Sequence, residues 1–345
     1  MSHFCADVQL RCSCERDTIG WESETPLGDP TLTPIGPDEL VRLAHIAREH
    51  YILGKTRVEI AEELGLSRFK VGRLLDDAVK SGIVTFEISV PGPIDVERSL
   101  ELQKRFGLKR AVVVRTPTDS PEAVQEELGR VGAQLLSEIS TPEHVLGMTA
   151  GRTLGQLARS LESLAVSEVV QLAGVAGPMQ ATGVEVIRRV GEAAKSRGWT
   201  LYAPLVASDP EAAAAIRRQH DVQQTMSQFD RVNLALVAIG SWSPADSQFH
   251  DNPALSAADH AMLLERGVQA DIGSILIDRD GQLVDAIQER CIAIDATGLR
   301  AIREVIGVAG GALKSDAVRA ALASGLIDSL VTDFSLASRL LENHA

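Results

Sequence analysis

Apolar positions recur along this chain in two rhythms, and the change from one to the other falls near Leu108. Before it the spacing is helical. Leu40, Leu43, Ala44, Ala47 and Tyr51 predict a first helix starting near Asp38. The stretch from Thr56 to Val90, TRVEIAEELGLSRFKVGRLLDDAVKSGIVTFEISV, then parses as two crossed helices followed by a strand. Ile60, Leu64, Leu66, Val71 and Leu74 are apolar where the helices face a shared core, and Ala61 is small where their backbones pass closest. Gly65 falls in the turn, where a left-handed backbone is cheap only for glycine. Ser67 is placed to cap the second helix and Gly82 to close it. Beyond it Val84, Phe86, Ile88 and Val90 alternate with Thr85, Glu87 and Ser89, which predicts a half-buried strand forming a wing-like ribbon. Pro91-Gly92-Pro93 breaks the strand, and Asp95 to Phe106 reads as a linking helix able to serve dimer contacts.

After Leu108 short apolar runs alternate with amphipathic stretches. Ala111–Val114, Val145–Met148, Val169–Leu172, Leu201–Val206, Leu234–Ile239, Ile272–Ile277, Val305–Val308 and Leu330–Thr332 read as strands. Glu122–Ile139, Thr153–Leu164 and Val184–Ser196 read as helices between them. Buried β-branched runs separated by helices predict an α/β unit with a mainly parallel sheet covered on both faces. Asp280-Gly281, between Ile277 and Leu283, predicts one inserted antiparallel hairpin.

The helix pair carries the first candidate chemistry. Ser67, Arg68, Phe69, Lys70, Gly72 and Arg73 are left facing outward on the first turns of the second helix, with Arg57 near the start of the first. A helix-turn-helix uses such residues to reach base edges in the major groove while flanking cations hold phosphates. An ordinary helical hairpin with a solvated basic face is the plain alternative.

Composition narrows the partners. The 345 residues suggest two domains, and aromatics make up only 3% of a chain that is 45% hydrophobic, so the core is aliphatic and alanine-rich. A formal charge of −13 argues against indiscriminate binding of polyanions but not against a local reader. Cations Lys55, Arg57, Arg68, Lys70 and Arg73 gather there, while Glu59, Glu62 and Glu63 lie on the first helix. No apolar run is long enough to cross a bilayer and no signal peptide is evident, so a cytoplasmic protein is expected. Residues 1–37, with Gly28-Asp29-Pro30, Pro34 and Gly36-Pro37, read as a mostly disordered leader. Cys5, Cys12 and Cys14 lie within it and Cys291 far away, which fits neither a disulfide framework nor, with His3, an established zinc spacing. Neither a metal nor a cofactor is expected.

Three loops after strands carry further chemistry. Thr149-Ala150-Gly151-Arg152-Thr153 follows a strand and opens a helix, so its backbone N–H groups and the Thr153 hydroxyl can cradle a phosphate. Gly307-Val308-Ala309-Gly310-Gly311-Ala312-Leu313-Lys314 ends in a lysine near the next helix start. It is not a P-loop, because the lysine does not directly follow the last glycine. Thr332-Asp333 ends the last strand and Asp271 precedes another, placing carboxylates that can accept hydrogen bonds from sugar hydroxyls. Singly, such glycines are turn residues and such a lysine is solvated; convergence at one sheet edge is what gives them meaning.

Taken in order, the helix-turn-helix from Ile60-Ala61 through Gly82-Ile83-Val84, then Gly151-Arg152-Thr153-Leu154, Ala270-Asp271-Ile272, Gly307 to Gly311, Lys314 and Thr332-Asp333, resembles the SorC family of sugar-binding transcriptional regulators over residues 40–342. The resemblance implies an effector domain similar to the superfold of sugar-phosphate isomerases, glucosamine-phosphate deaminases and CoA-transferases. It also implies a tetramer that binds operator DNA near carbohydrate genes and responds to a phosphorylated sugar. Carried onto this sequence, Gly151–Thr153 and Lys314 would hold the phosphate and Asp271 would meet hydroxyls. The loop Ala173-Gly174-Val175-Ala176-Gly177 and Ala150 depart from the pattern expected.

The expected layout is a leader over 1–37, a DNA-binding domain over 38–92, a linker helix over 93–107, and an effector-binding and oligomerisation domain over 108–345. Arg57, Ser67, Arg68, Phe69, Lys70 and Arg73 are the candidate DNA contacts. Thr149, Ala150, Gly151, Arg152, Thr153, Asp271, Gly310, Lys314 and Asp333 are the candidate effector contacts, with sugar or sugar phosphate as the ligand. The competing expectation is an isomerase or deaminase with an appended DNA-binding module. Without a dense acid/base cluster or a nucleophile elbow, binding without turnover is favoured.

Overall fold

The computed structural model describes residues 35–87, 90–176 and 183–342. The chain separates into two compact units, dividing between Ser89 and Val90. The leader residues 1–34, with His3 and the three early cysteines, lie outside the described residues, as do Ile88, Ser89 and Gly177.

The first unit holds helices α1 (Pro37–Ala47), α2 (Arg57–Leu64) and α3 (Arg68–Lys80), with a π-helical turn over Arg48–Ile52. Pro37 begins α1, where its missing N–H costs nothing. Thr56 and Glu59 cap α2 reciprocally, each accepting a hydrogen bond from the other's backbone N–H. Gly65 adopts φ 66° and ends α2, and the N–H of Leu66 returns to the Ala61 carbonyl at 2.9 Å. That turn swings Leu66 toward the core and leaves Leu64, expected inside, 38% exposed. The inward stripe of α1 is Leu43, Ile46 and Ala47 rather than the wider set expected, with Leu40 and Ala44 outside. The π-helical turn then shifts the register, so Tyr51 is exposed and meets Phe86 edge-on at 5.2 Å. Gly82, at φ 74°, follows the end of α3 as expected. The strand expected over Val84–Val90 does not form among the described residues. Val84 returns its N–H to Ala78 instead, and Phe86 stays largely exposed. Alternation alone supplies no partner strand, and an unpaired strand is not stable.

The second unit contains α4 (Val96–Phe106), β1 (Arg110–Val114), α5 (Pro121–Ile139), β2 (Val145–Met148), α6 (Arg152–Ser160), β3 (Glu168–Gln171), α7 (Gly183–Ala194) and β4 (Arg197–Trp199). It continues through α8 (Pro210–Arg217), α9 (His220–Met226), β5 (Leu234–Trp242), β6 (Ala245–Asp246), α10 (Ala257–Glu265), β7 (Val268–Ile272), β8 (Ile275–Asp278) and β9 (Leu283–Val284). It closes with α11 (Ala296–Ala301), β10 (Glu304–Val308), α12 (Ser315–Ala323), β11 (Ser329–Asp333) and α13 (Phe334–Leu341).

Seven strands form a parallel sheet in the order β1-β11-β10-β5-β2-β3-β4. Successive residues of one strand feed opposite cores: Val305 joins the core that holds Leu102, Val318 and Leu340, while Ile306 and Val308 join the core that holds Leu128, Leu154 and Val186. Thus α4, α12 and α13 cover one face and α5, α6 and α7 the other, the two-faced burial expected of a parallel sheet. The segment read as a linker helix is one of these covers: Leu102 of α4 is fully buried, and the Asp95 carboxylate caps the helix.

β5 is long enough to serve two sheets. Its first half pairs with β10 and β2, and Ile239–Ser241 pairs antiparallel with β7. The run expected as one strand over Ile272–Ile277 is a hairpin, because Gly273 turns at φ 64° between β7 and β8. Asp271 therefore lies within β7 rather than before a strand. The β8–β9 hairpin across Asp280-Gly281 forms as expected. Leu201–Val206 makes only isolated bridges at Pro204 and Val206, since Pro204 has no N–H to give a ladder. Cys291 is a buried free thiol, and no cluster of metal-ligating residues occurs among the described residues.

Candidate functional site

In the first unit, Arg57, Ser67, Arg68, Phe69, Lys70 and Arg73 are all exposed. Ser67 accepts a hydrogen bond from the Lys70 N–H, so its hydroxyl starts α3 and its role is at least partly structural. Gly72, expected outward, is buried; a Cβ there would lie 3.6 Å from the Arg57 guanidinium, which crosses α3 at that point. Arg68 stacks on Phe69 at 4.8 Å, and Phe69 is 71% exposed. None of Arg57, Arg68, Lys70 or Arg73 forms an ion pair among the described residues. Lys55 is different: Glu49 at 2.6 Å and Glu63 at 2.8 Å hold it, so it adds little to the basic face. The result is a helix N-terminus presenting uncommitted cations and one exposed ring.

The second unit gathers its chemistry outside the carboxyl ends of the parallel strands. From β2 the chain runs to β3 on one side, and from β5, after the β6–β9 excursion, it returns to the parallel sheet at β10 on the other. Adjacent strands whose connections leave in opposite directions open a crevice between their loops. Thr149 spans that opening: its hydroxyl accepts the Ala238 N–H at 3.0 Å, satisfying a donor that the diverging strands no longer pair. A cleft of about 460 Å³ lies here. All nine residues expected to contact an effector line it: Thr149, Ala150, Gly151, Arg152, Thr153, Asp271, Gly310, Lys314 and Asp333.

Their positions are tightly determined. Gly151 precedes α6 without any side-chain cap, leaving the first N–H groups of that helix for an anion. A Cβ on Gly151 would come 2.7 Å from the Ala238 Cβ. Asp271 sits opposite Gly240 in the β5–β7 pairing, and a Cβ on Gly240 would strike its carboxylate at 2.4 Å. The Asp271 Oδ1 accepts hydrogen bonds from Trp242 Nε1, at 2.9 Å, and from the Ser247 hydroxyl. Burial pushes the Asp271 carboxyl up to about 6, against the opposing pull of these bonds and of the Lys314 charge. Burial, reinforced by the Arg152 charge, brings Lys314 down to about 8, with Asp271 acting the other way. Lys314 Nζ also lies 3.1 Å from Asp246 Oδ2, but that carboxylate is 39% exposed, so solvent screens much of its effect. Arg152 pairs with the same Asp246 carboxylate.

Asp333 differs from its expected part. Its two oxygens accept the backbone N–H groups of Gly311, Ser335 and Leu336. It is fully buried, so it shapes the cleft by fixing the Gly310-Gly311 loop and starting α13. Gly310 is pressed against Leu128 and Val124, leaving no space for a Cβ.

Asp246 and Ser247 also line the cleft, and Trp242 bonds to Asp271 there, although no motif in the sequence singles them out. The signal was the run Gly240-Ser241-Trp242-Ser243-Pro244-Ala245-Asp246-Ser247-Gln248, a polar, proline-broken loop following a central strand. Its place at the crevice depends on strand order, which no local pattern supplies.

A two-faced α/β unit with a strand-end cleft, in a chain that also carries a helix-turn-helix, defines a ligand-binding protein with a nucleic-acid-reading module. Its relatives give its family. A family model described as a putative sugar-binding domain matches residues 93–342. The transcriptional regulator LsrR of Klebsiella pneumoniae is 30% identical over 313 residues, covering 89% of this chain and 94% of its own. The sorbitol operon regulator of Klebsiella pneumoniae is 29% identical over 313 residues, covering 88% and 99%. The crystal structure of the full-length sorbitol operon regulator SorC from that organism superposes with a TM-score of 0.68 at 27% identity, covering 88% of this chain and 100% of that one. A domain of a possible sugar-binding transcriptional regulator from Arthrobacter aurescens gives 0.65 at 25% identity, covering 74% and 100%. The chain belongs to the SorC family of sugar-binding transcriptional regulators.

Proposed function

We propose that this protein is a ligand-responsive transcription factor: α3 reads operator DNA near carbohydrate genes, and the strand-end cleft takes a sugar or sugar phosphate that changes operator affinity. The observation carrying this reading is the convergence of the uncapped α6 N-terminus, Lys314, Arg152 and Asp271 on one cleft of small-molecule size. The helix N-terminus and the cations suit an anionic group, and Asp271 suits hydroxyls. On the reader, Arg57, Arg68, Lys70 and Arg73 provide phosphate and base contacts, with Phe69 available for apolar contact with a thymine methyl.

The cleft binds without turning its ligand over, the protein resides in the cytoplasm, and the working assembly is a homotetramer. No helix among the described residues is long and apolar enough to cross a membrane. A ligand shifts the DNA-binding equilibrium only through its difference in affinity for the two states. Thermal-shift screening against sugars, polyols and their monophosphates identifies the ligand. Fluorescence anisotropy on DNA from upstream of the protein's own gene then reads its effect, with product analysis alongside. Altered DNA affinity without turnover supports the reading. Product formation replaces it with an isomerase or deaminase, and no effect of any carbohydrate removes it.

A further inference from the structure

Within the cleft, one carboxylate stands where a ligand's anion would have to go. Asp246 pairs with Arg152, at the first position of α6, and with Lys314 at 3.1 Å. Lys314 Nζ donates to the Asp246 carbonyl at 3.2 Å and the Ile239 carbonyl at 3.3 Å, and the Asp246 carboxylate holds its remaining side as an ion pair. A ligand anion approaching Lys314 meets the Asp246 carboxylate already beside it. The two carbonyls are backbone, fixed by β5 and its partner β6. The Asp246 side chain is the partner that can leave.

Resting on the reading of the cleft as a carbohydrate site, we propose that Asp246 is a built-in competitor for the effector's anionic group. The effector binds by exchanging with its carboxylate, which thereby sets both affinity and charge selectivity. The two partners are unequally held. Lys314 is only 14% exposed, while the Asp246 side chain is 39% exposed on a strand of two residues. Water can take over the released carboxylate at small cost. The cations stay, beside the uncapped first turn of α6. A neutral sugar has no group to trade for Asp246 and binds through Asp271 and the backbone with the ion pairs intact. A phosphate monoester and a sugar-acid carboxylate share the required chemistry, though only the phosphate can span both cations with separate oxygens while keeping one for the helix.

The test is calorimetric titration of the full chain, of Asp246→Asn and, should that not fold, of Asp246→Ser. The probes are inorganic phosphate, neutral hexoses and hexitols, their monophosphates, and sugar acids. Both variants are expected to bind inorganic phosphate and the sugar phosphates about tenfold more tightly than the native chain, as expected for freeing charge-assisted bonds. Neutral sugars are expected to change less than about twofold, a contrast that loosened structure would not produce. A larger gain for sugar acids than for phosphates would support the exchange and assign the anion as carboxylate. Unchanged or weakened anion binding, or an equal gain for neutral and anionic ligands, overturns the competitor role while leaving the carbohydrate reading in place. If neither native nor variant protein binds any probe, both fail.

Discussion

The reader and the cleft use charge in opposite ways. Around α3, Arg57, Arg68, Lys70 and Arg73 are exposed and make no ion pair among the described residues. In the cleft, Arg152, Lys314, Asp246, Asp271 and Asp333 each bond to other parts of the protein before any ligand is considered. The difference teaches where function and folding are separable. Reader cations are attached to a fold that does not need them, whereas cleft groups are part of what holds the strand-end loops together.

The sharpest way to break that contrast is at Asp333. Asp333→Ala leaves three backbone N–H groups without their carboxylate acceptor in the interior, and a loss of about 3–5 kcal/mol in urea denaturation is expected. A loss below ~1 kcal/mol would show that water or another group replaces it and that the cleft is less integral than it looks.

Lys314 comes next, because there stability and function are joined in one side chain. Lys314→Met is expected to cost about 1.5–3 kcal/mol of affinity for an anionic effector in a calorimetric titration. Its melting temperature should also fall, since the Ile239 and Asp246 carbonyls and the Asp246 carboxylate lose their partner. The pH dependence has a definite sign. The folded pKa is depressed to about 8 from 10.5, so between those values the unfolded chain binds the extra proton and raising pH stabilises the fold. Over the same window Lys314 loses its charge, facing Arg152, Asp246 and Asp271, and anion affinity falls. The methionine variant should show neither trend from this residue, and an unchanged titration would reject the role.

On the reader the expectation reverses. Arg68→Ala or Arg73→Ala should weaken operator binding by about 1–3 kcal/mol if the guanidinium makes a bidentate base contact. Folding stability should stay within ~0.5 kcal/mol. Unaltered anisotropy titrations in both variants would take these residues out of the interface. Smallest is Ser67→Ala, where loss of the α3 cap should cost ~1 kcal/mol of stability in thermal denaturation. A similar loss of operator affinity with no loss of stability would show that Ser67 touches DNA instead.

What could be read from the sequence follows the same division. The reader's turn and cap are local: Gly65, Ser67 and Gly82 act within a few residues, and each does what its side chain implied. The parallel sheet was legible too, because strands such as Val145–Met148 and Val305–Val308 are short apolar runs between amphipathic helices. Features that depend on distant partners were not. The strand expected after Ile83 lacks a partner among the described residues, and Leu201–Val206 fails at Pro204. The convergence of Gly151 and Lys314 could be expected from strand ends, but the Asp246 bridge between Arg152 and Lys314 could not. It joins residues whose proximity exists only after β5 takes its place between β10 and β2.

The central claim is that one chain couples the two sites, and reciprocity tests it most directly. Operator affinity measured with and without saturating effector, and effector affinity with and without operator, must change by the same factor if one equilibrium links them. The account predicts equal factors of about 5–150, the usual range for such coupling. Tight binding of both ligands with each affinity indifferent to the other would contradict it.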